Sequence, residues 1–155
     1  MRIGLISDTH GQFRPAITEV FAGVDLIVHA GDVGGAAVLH ALRAIAPVEA
    51  VSGNVDDRHD PNLPHSRRVP VGDLVLHVSH GDELGSPKPE RLFAAYDADI
   101  IVYGHTHRQM MIVGDDDRMV VNPGAAGPRR FNLEASVAIL TVTGRDARVE
   151  FVALT

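Results

Sequence analysis

Short, almost purely apolar runs, each closed by a small residue, punctuate this chain and decide what it can fold into. "RIGLIS" and "DLIVHA" are rich in Ile, Leu and Val and bounded by Asp and Gly, so each reads as a buried strand. Between them, "RPAITEVFAGV" has Pro15 near a helix start, apolar residues at helical spacing and Gly23 as a stop. "AAVLHALRAIA" predicts a second helix closed by Pro47, and "PVEAVSG" a third strand. A β-α-β-α-β order implies parallel strands joined by crossover helices.

The remainder is richer in strands. "DDRHDPNLPHSRR" has two prolines and no periodicity, and reads as a loop. "RRVPVGDLVLHVSHG" gives two strands around "VGD", "PKPERLFAAYDA" a helix, and "DADIIVYG" another buried strand. "QMMIVGDDDRMVVNPG" predicts a hairpin, and "ASVAILTVTGRDARVEFVAL" an antiparallel pair around "TGRD". The acidic run Asp115–Asp117 lacks the spaced ligands of a calcium loop and reads as a solvated turn. The fold class is therefore α/β or α+β: two stacked sheets with helices outside. The 155 residues match one domain, residues 1–155, by length.

Composition excludes several functions. Zero cysteine rules out disulfides, thiolate zinc sites and cysteine nucleophiles. The net charge of −6, with no basic block beyond two Arg pairs, argues against duplex nucleic acid as a partner. The apolar stretch at the N-terminus ends at Asp8, too short for a signal core or a membrane span. Cytoplasmic location is the default expectation.

The residues just after each apolar run carry the chemistry. "RIGLIS" leads into Asp8-Thr9-His10, "LIVHAG" into Asp32, "VEAVSG" into Asn54, "LVLHVS" into His80, and "IIVYG" into His105-Thr106-His107. Ligands of open α/β sheets bind outside the carboxyl ends of strands, so these side chains are expected on one rim. Asp8, His10, Asp32, Asn54, His80, His105 and His107 are too many for one ion with open positions. They suit two ions, provided one carboxylate bridges, and paired metals are the recurrent design for phosphate-ester hydrolysis.

In this order, "SDTHG", "HAGDV", "GNVDD", "SHGD", "GHTH" and "NPGA" resemble the calcineurin-like metallophosphoesterase superfamily, closest to its small single-domain bacterial and archaeal phosphodiesterases. The resemblance implies a four-layer αββα sandwich of two mixed sheets. It implies that Asp8, His10 and His107 hold one divalent metal and Asn54, His80 and His105 the other. Asp32 would bridge them together with an attacking hydroxide, which makes Asp32, Asn54, His80 and His105 the residues nearest the chemistry. The Asn122-Pro123-Gly124 turn would shape the adjoining rim. Manganese is the expected metal, with iron, zinc, nickel or cobalt equally compatible with the oxygen and imidazole donors. A small phosphoester substrate, no membrane partner, and a homo-oligomer (dimer or tetramer) by analogy with relatives complete the expectation.

One position departs from the pattern. Many members carry a histidine directly after the asparagine, and Val55 stands here. Valine can neither protonate a leaving group nor steady a phosphate, so poor leaving groups should be hydrolysed slowly. Asp56, Arg58 and His59 are the nearby substitutes for that role. His29 and His77, inside apolar strands, read as core or ligand-orienting residues, and His40 as surface. His59 and His65 fall in the polar loop, and Arg129 and Arg130 are candidates for reaching a phosphate. Three other functions compete. A phosphomonoesterase could use the same site, and a protein-interaction scaffold could use the same fold with an eroded site. A metal amidohydrolase is a poor match, since its barrel needs a longer chain.

Overall fold

A computed structural model describes residues 1–130 and 132–154. The strands are β1 (Arg2–Ile6), β2 (Leu26–His29), β3 (Val48–Ala50), β4 (Ser66–Val71), β5 (Leu74–Ser79), β6 (Ile100–Val102), β7 (Gln109–Val113), β8 (Met119–Pro123), β9 (Ser136–Thr143) and β10 (Asp146–Ala153). The helices are α1 (Ala16–Val20), α2 (Ala36–Arg43) and α3 (Pro89–Ala95), with one 3₁₀ turn at Asp82–Leu84.

Two five-stranded mixed sheets stack face to face. Sheet 1 runs β10-β9-β1-β2-β3, with β1, β2 and β3 parallel as the crossover helices require. Sheet 2 runs β4-β5-β6-β8-β7, with β5, β6 and β8 parallel. The layer between the sheets is filled by alternate residues of each strand, among them Ile3, Leu5, Val28, Leu76, Val78, Val102, Val121 and Leu140. Residues of opposite parity pack against the helices. Ile17 and Phe21 (one helical turn apart) and Val38, Leu39 and Leu42 of α2 cover Ile6, Ile27 and Ile139 of sheet 1. Leu92 of α3 covers Ile101 and Val120 of sheet 2. The result is the four-layer arrangement, helices outside two mixed sheets.

The observed helices are shorter than their sequence patterns. Chain past α1 turns at Phe21 and reverses at Gly23, whose φ is +81°. After α2, the N–H groups of Ile45 and Ala46 both return to the Leu42 carbonyl, tightening the end into a turn before Pro47. Hairpins at β4–β5, β7–β8 and β9–β10 form as expected. Strand order is the part that local pattern does not carry: β9 comes back to lie antiparallel beside β1.

Candidate metal centre

Each of the five strand ends delivers its polar residue to one rim. The turns after β1 and β2 are zipped by backbone hydrogen bonds, Asp8 N–H to Gly31 O, His10 N–H to Asp32 O and Gly11 N–H to Val33 O. Asp8, His10, Asp32, His105 and His107 all take left-handed backbone, with φ between 47° and 72°. That region is sparsely populated by residues other than glycine and costs about 1–3 kcal/mol at each position. In the Asp8-Thr9-His10 and His105-Thr106-His107 turns the first and third side chains reach the centre, while Thr9 bonds His29 and the Val33 carbonyl and Thr106 bonds Asn122. Close backbone approach depends on glycine: a Cβ at Gly53 would overlap the Asp32 carboxylate, and one at Gly104 would overlap the Ser7 hydroxyl.

Both carboxylates are split between a tethered and a free oxygen. Asp8 Oδ2 accepts the Ser7 hydroxyl at 2.7 Å and the His105 N–H at 3.1 Å. Its buried Oδ1 has no hydrogen-bond partner and lies 3.8, 3.8 and 3.4 Å from Nε2 of His10, His80 and His107. Asp32 Oδ1 accepts the Val55 N–H at 3.0 Å, while its Oδ2 sits 3.6 Å from His10 Nε2 and 3.2 Å from His80 Nε2. The imidazoles are fixed by the same logic. His80 Nδ1 donates to the Ala30 carbonyl at 2.8 Å, which leaves Nε2 facing the carboxylates.

The donor atoms gather in two overlapping groups: Asp8, His10 and His107, and Asp8, Asp32 and His80. Rings pair accordingly, His10 with His107 at 5.4 Å between centroids and His80 with His105 at 5.2 Å. His105 and Asn54 stand at the exposed edge, His105 Nδ1 3.3 Å from Asn54 Oδ1. All seven side chains singled out in the sequence therefore converge. Asp8 is shared by both groups, Asp32 belongs to the second alone, and His105 to neither.

Electrostatics reflect that crowding. Burial opposes ionisation of Asp32, but the His80 imidazole at 3.2 Å and the Val55 N–H hydrogen bond outweigh it and lower its carboxyl to about 2. Asp8 is lowered likewise, against its burial, by His107, His80 and Ser7. Burial acts against a charged His80, yet Asp32 and Asp8 raise its imidazole to about 9. Two carboxylates stay ionised in a largely buried site, and a concentrated negative site of this kind is suited to cations.

Several residues that sequence left undefined acquire roles. His29 is fully buried; its Nδ1 accepts the Gly31 N–H and its Nε2 donates to Thr9 Oγ1, whose hydroxyl donates to the Val33 carbonyl. That chain ties the β1 turn to the β2 turn, and burial holds the imidazole neutral, lowered to about 4. Asp56 is committed to backbone: it accepts the N–H groups of Val33, Gly34 and Gly53. Arg58 pairs with Asp82 at 2.5 Å, and the His59 side chain lies in an exposed turn. Asn122 donates to the Gly104 carbonyl and to Thr106 Oγ1 and accepts the Gly124 N–H, bracing the "GHTH" turn from beneath. His77 stacks on Tyr96 at 3.8 Å, away from the centre, and Arg129 and Arg130 are exposed. Nothing in the sequence distinguished Ser7, Thr9 and His29 as a bracing set, because such roles depend on strand pairing.

A fold of two mixed sheets with acidic and imidazole donors at their carboxyl ends defines a metallophosphoesterase-type protein. Residues 1–145 match the calcineurin-like phosphoesterase superfamily domain, and the chain belongs to that family. A probable metallophosphoesterase of Methanothermobacter thermautotrophicus is 32% identical, the match covering 98% of this chain and 92% of the relative. A phosphodiesterase of Methanocaldococcus jannaschii is 30% identical over 80% of this chain and 83% of its own. Among solved structures, Chaetomium thermophilum Vps29 superimposes with a TM-score of 0.82 at 23% identity, covering 100% and 98% of the two chains, which speaks for the fold. Membership implies phosphoester hydrolysis with divalent metal. Among the described residues, no helix is long and apolar enough to cross a membrane.

Proposed function

We propose that this protein is a dinuclear metal-dependent phosphodiesterase of the cytoplasm, its two ions bridged by Asp32. One ion would be held by Asp8, His10 and His107, the other by Asn54, His80 and His105, with manganese the expected occupant. The observation that carries this reading is the set of buried ligand atoms without hydrogen-bond partners: Asp8 Oδ1, His10 Nε2 and His80 Nε2. Leaving such atoms unpaired costs about 1–3 kcal/mol each unless something binds them. They face one another across a space walled by carboxylate oxygens, which fits cations and nothing apolar.

Bound divalent ions supply an activated water near neutral pH and neutralise charge that builds on phosphoryl oxygens. The chain's contribution is placement. Ser7, His105 N–H, Val55 N–H and Ala30 O fix the donor side chains before any ion arrives, so little reorganisation is needed. Asn54 and His105, at the exposed edge, are positioned to meet the phosphoryl group. Val55 is 54% exposed beside them and offers no proton, and the carboxylate of Asp56 is already engaged. Neither Val55 nor Asp56 is therefore free to protonate a leaving group.

Preference for diesters is supported by the phosphodiesterase of Methanocaldococcus jannaschii, 30% identical over 80% of this chain. Turnover of bis(p-nitrophenyl) phosphate and of p-nitrophenyl phosphate, measured side by side with added manganese, tests the reading. Faster diester hydrolysis is expected; equal or faster monoester hydrolysis contradicts the diester assignment, and no turnover of either with any first-row metal contradicts the enzyme.

A further inference from the structure

The two sides of the metal centre carry opposite charge. Just past Asn54 a cavity of about 560 Å³ is lined by Val55, Asp56, Asp57, Asp60, Leu39 and Arg43. Arg58, in the same loop, is already ion-paired with Asp82. Beside His107 a second cavity, of about 420 Å³, has Arg108, Asn132, Leu133 and Glu134 in its wall. Arg108 is exposed and directly follows the ligand position, and its N–H donates to Thr106 Oγ1 at 3.3 Å, tying it to the turn that carries both histidines.

The opposite wall of that second cavity is held against the centre as well. Gly127 N–H donates to the Asp8 carbonyl, Ala126 N–H to the Ser7 carbonyl, and the Arg14 guanidinium twice to the Gly127 carbonyl. A Cβ at Gly127 would overlap the Thr9 carbonyl, so this segment lies directly on the Asp8–His10 turn. Exposed Arg129 and Arg130 follow that anchor, and the Arg130 carbonyl accepts the N–H of Leu133 in the cavity wall.

These three arginines differ from most others in the chain. Arg58, Arg67, Arg118, Arg145 and Arg148 form ion pairs, and Arg14, Arg68 and Arg91 donate to carbonyls. Among the described residues, the guanidinium groups of Arg108, Arg129 and Arg130 do neither. Glu134 is the one acid in the cavity wall, so guanidinium outnumbers carboxylate on this side of a chain whose net charge is −6. Guanidinium forks match phosphate oxygens in shape as well as charge. The metal centre itself accounts for one phosphate, the one being hydrolysed. We propose that Arg108, with Arg129 and Arg130, binds a second phosphate carried by one arm of the diester. The inference rests on the phosphodiesterase reading and narrows its substrates to diesters with one anionic and one neutral arm. Asp57 and Asp60 repel a charged arm on the Val55 side, which fixes the orientation: anionic arm beside His107, neutral arm beside Val55.

Calorimetric titration of the manganese-loaded full chain with thymidine 5′-phosphate and thymidine 3′,5′-bisphosphate, which differ only in a second phosphate, tests the proposal. The bisphosphate should bind about tenfold more tightly at low salt, and the advantage should shrink as salt screens these exposed charges. Arg108→Gln should remove most of the advantage, and a triple variant adding Arg129→Gln and Arg130→Gln all of it, whereas Arg43→Gln on the other side should keep it. In turnover, a 3′-phosphate on thymidine 5′-(p-nitrophenyl phosphate) should lower KM and leave kcat alone, and the triple variant should erase that gain. A bisphosphate preference in a chain that hydrolyses neither ester would support the second-phosphate site and contradict the phosphodiesterase. Equal affinity for the two nucleotides overturns the proposal, as does an advantage that survives in the triple variant or is lost equally in Arg43→Gln.

Discussion

In the metal-free chain His80 should hold a proton that any incoming cation has to displace. Its ring is almost wholly buried, which by itself would expel the charge. Asp32 Oδ2 at 3.2 Å and Asp8 Oδ1 at 3.8 Å win against burial and raise the imidazole to about 9. With Nδ1 committed to Ala30 O, the extra proton sits on Nε2, the atom proposed to bind metal. At pH 7 the gap of about two units is a roughly hundredfold handicap on metal affinity, about 3 kcal/mol. Between pH 7 and about 8.5 the apparent affinity should therefore rise about tenfold per unit. Calorimetric titration of manganese into stripped protein, in two buffers of different ionisation enthalpy, reads the proton directly. About one proton per chain should be released from His80 at pH 7, and His80→Asn should abolish that release. Affinity flat over this window with no buffer dependence would show that His80 holds no such proton.

Asp32→Asn and His107→Ala should each bind less metal and lose most turnover, read by elemental analysis and rate; either variant retaining both falls outside the site. Gly53→Ala drives a methyl into the Asp32 carboxylate and should cut metal content sharply, with a stability loss of about 1–3 kcal/mol in urea unfolding; unchanged metal content would show that Asp32 is not fixed as described. His29 is lowered from 6.5 to about 4 on folding, so the unfolded chain takes up its proton first as pH falls. Stability should drop by about 3 kcal/mol between pH 6.5 and 4 and level off for this group below that; a His29→Gln chain with the same pH slope in denaturant melts would count against it. With Val55 offering no acid, rate should fall steeply as leaving-group pKa rises, and Val55→His should flatten the slope; a flat wild-type dependence with chemistry rate-limiting would mean another acid is at work.

Much of the centre is legible in the sequence because each donor directly succeeds its own strand. "DTH", "GD", "GN", "SH" and "GHTH" need only the rule that parallel strands end on a common rim. Whatever depends on pairing between distant segments leaves no such trace. Asp56 looks available as an acid in the sequence, yet its carboxylate closes three backbone N–H groups from residues on two loops. His29 reads as a core residue with a share in orientation, and only the β1–β2 register puts Thr9 beside it. The dual reach of Asp8 likewise comes from the left-handed turn that swings its Oδ1 between three imidazoles. The hairpins are legible from local turn chemistry, whereas insertion of β9 beside β1 is not, since long-range order has no local signature.

Anomalous diffraction at the manganese edge, from crystals of the metal-loaded chain, would locate the ions themselves. Two peaks about 3.5–4 Å apart are expected, with the Asp32 carboxylate between them, His10 and His107 on one and His80 and His105 on the other. A single peak, or peaks away from the Asp8–Asp32 pair, would overturn the dinuclear assignment.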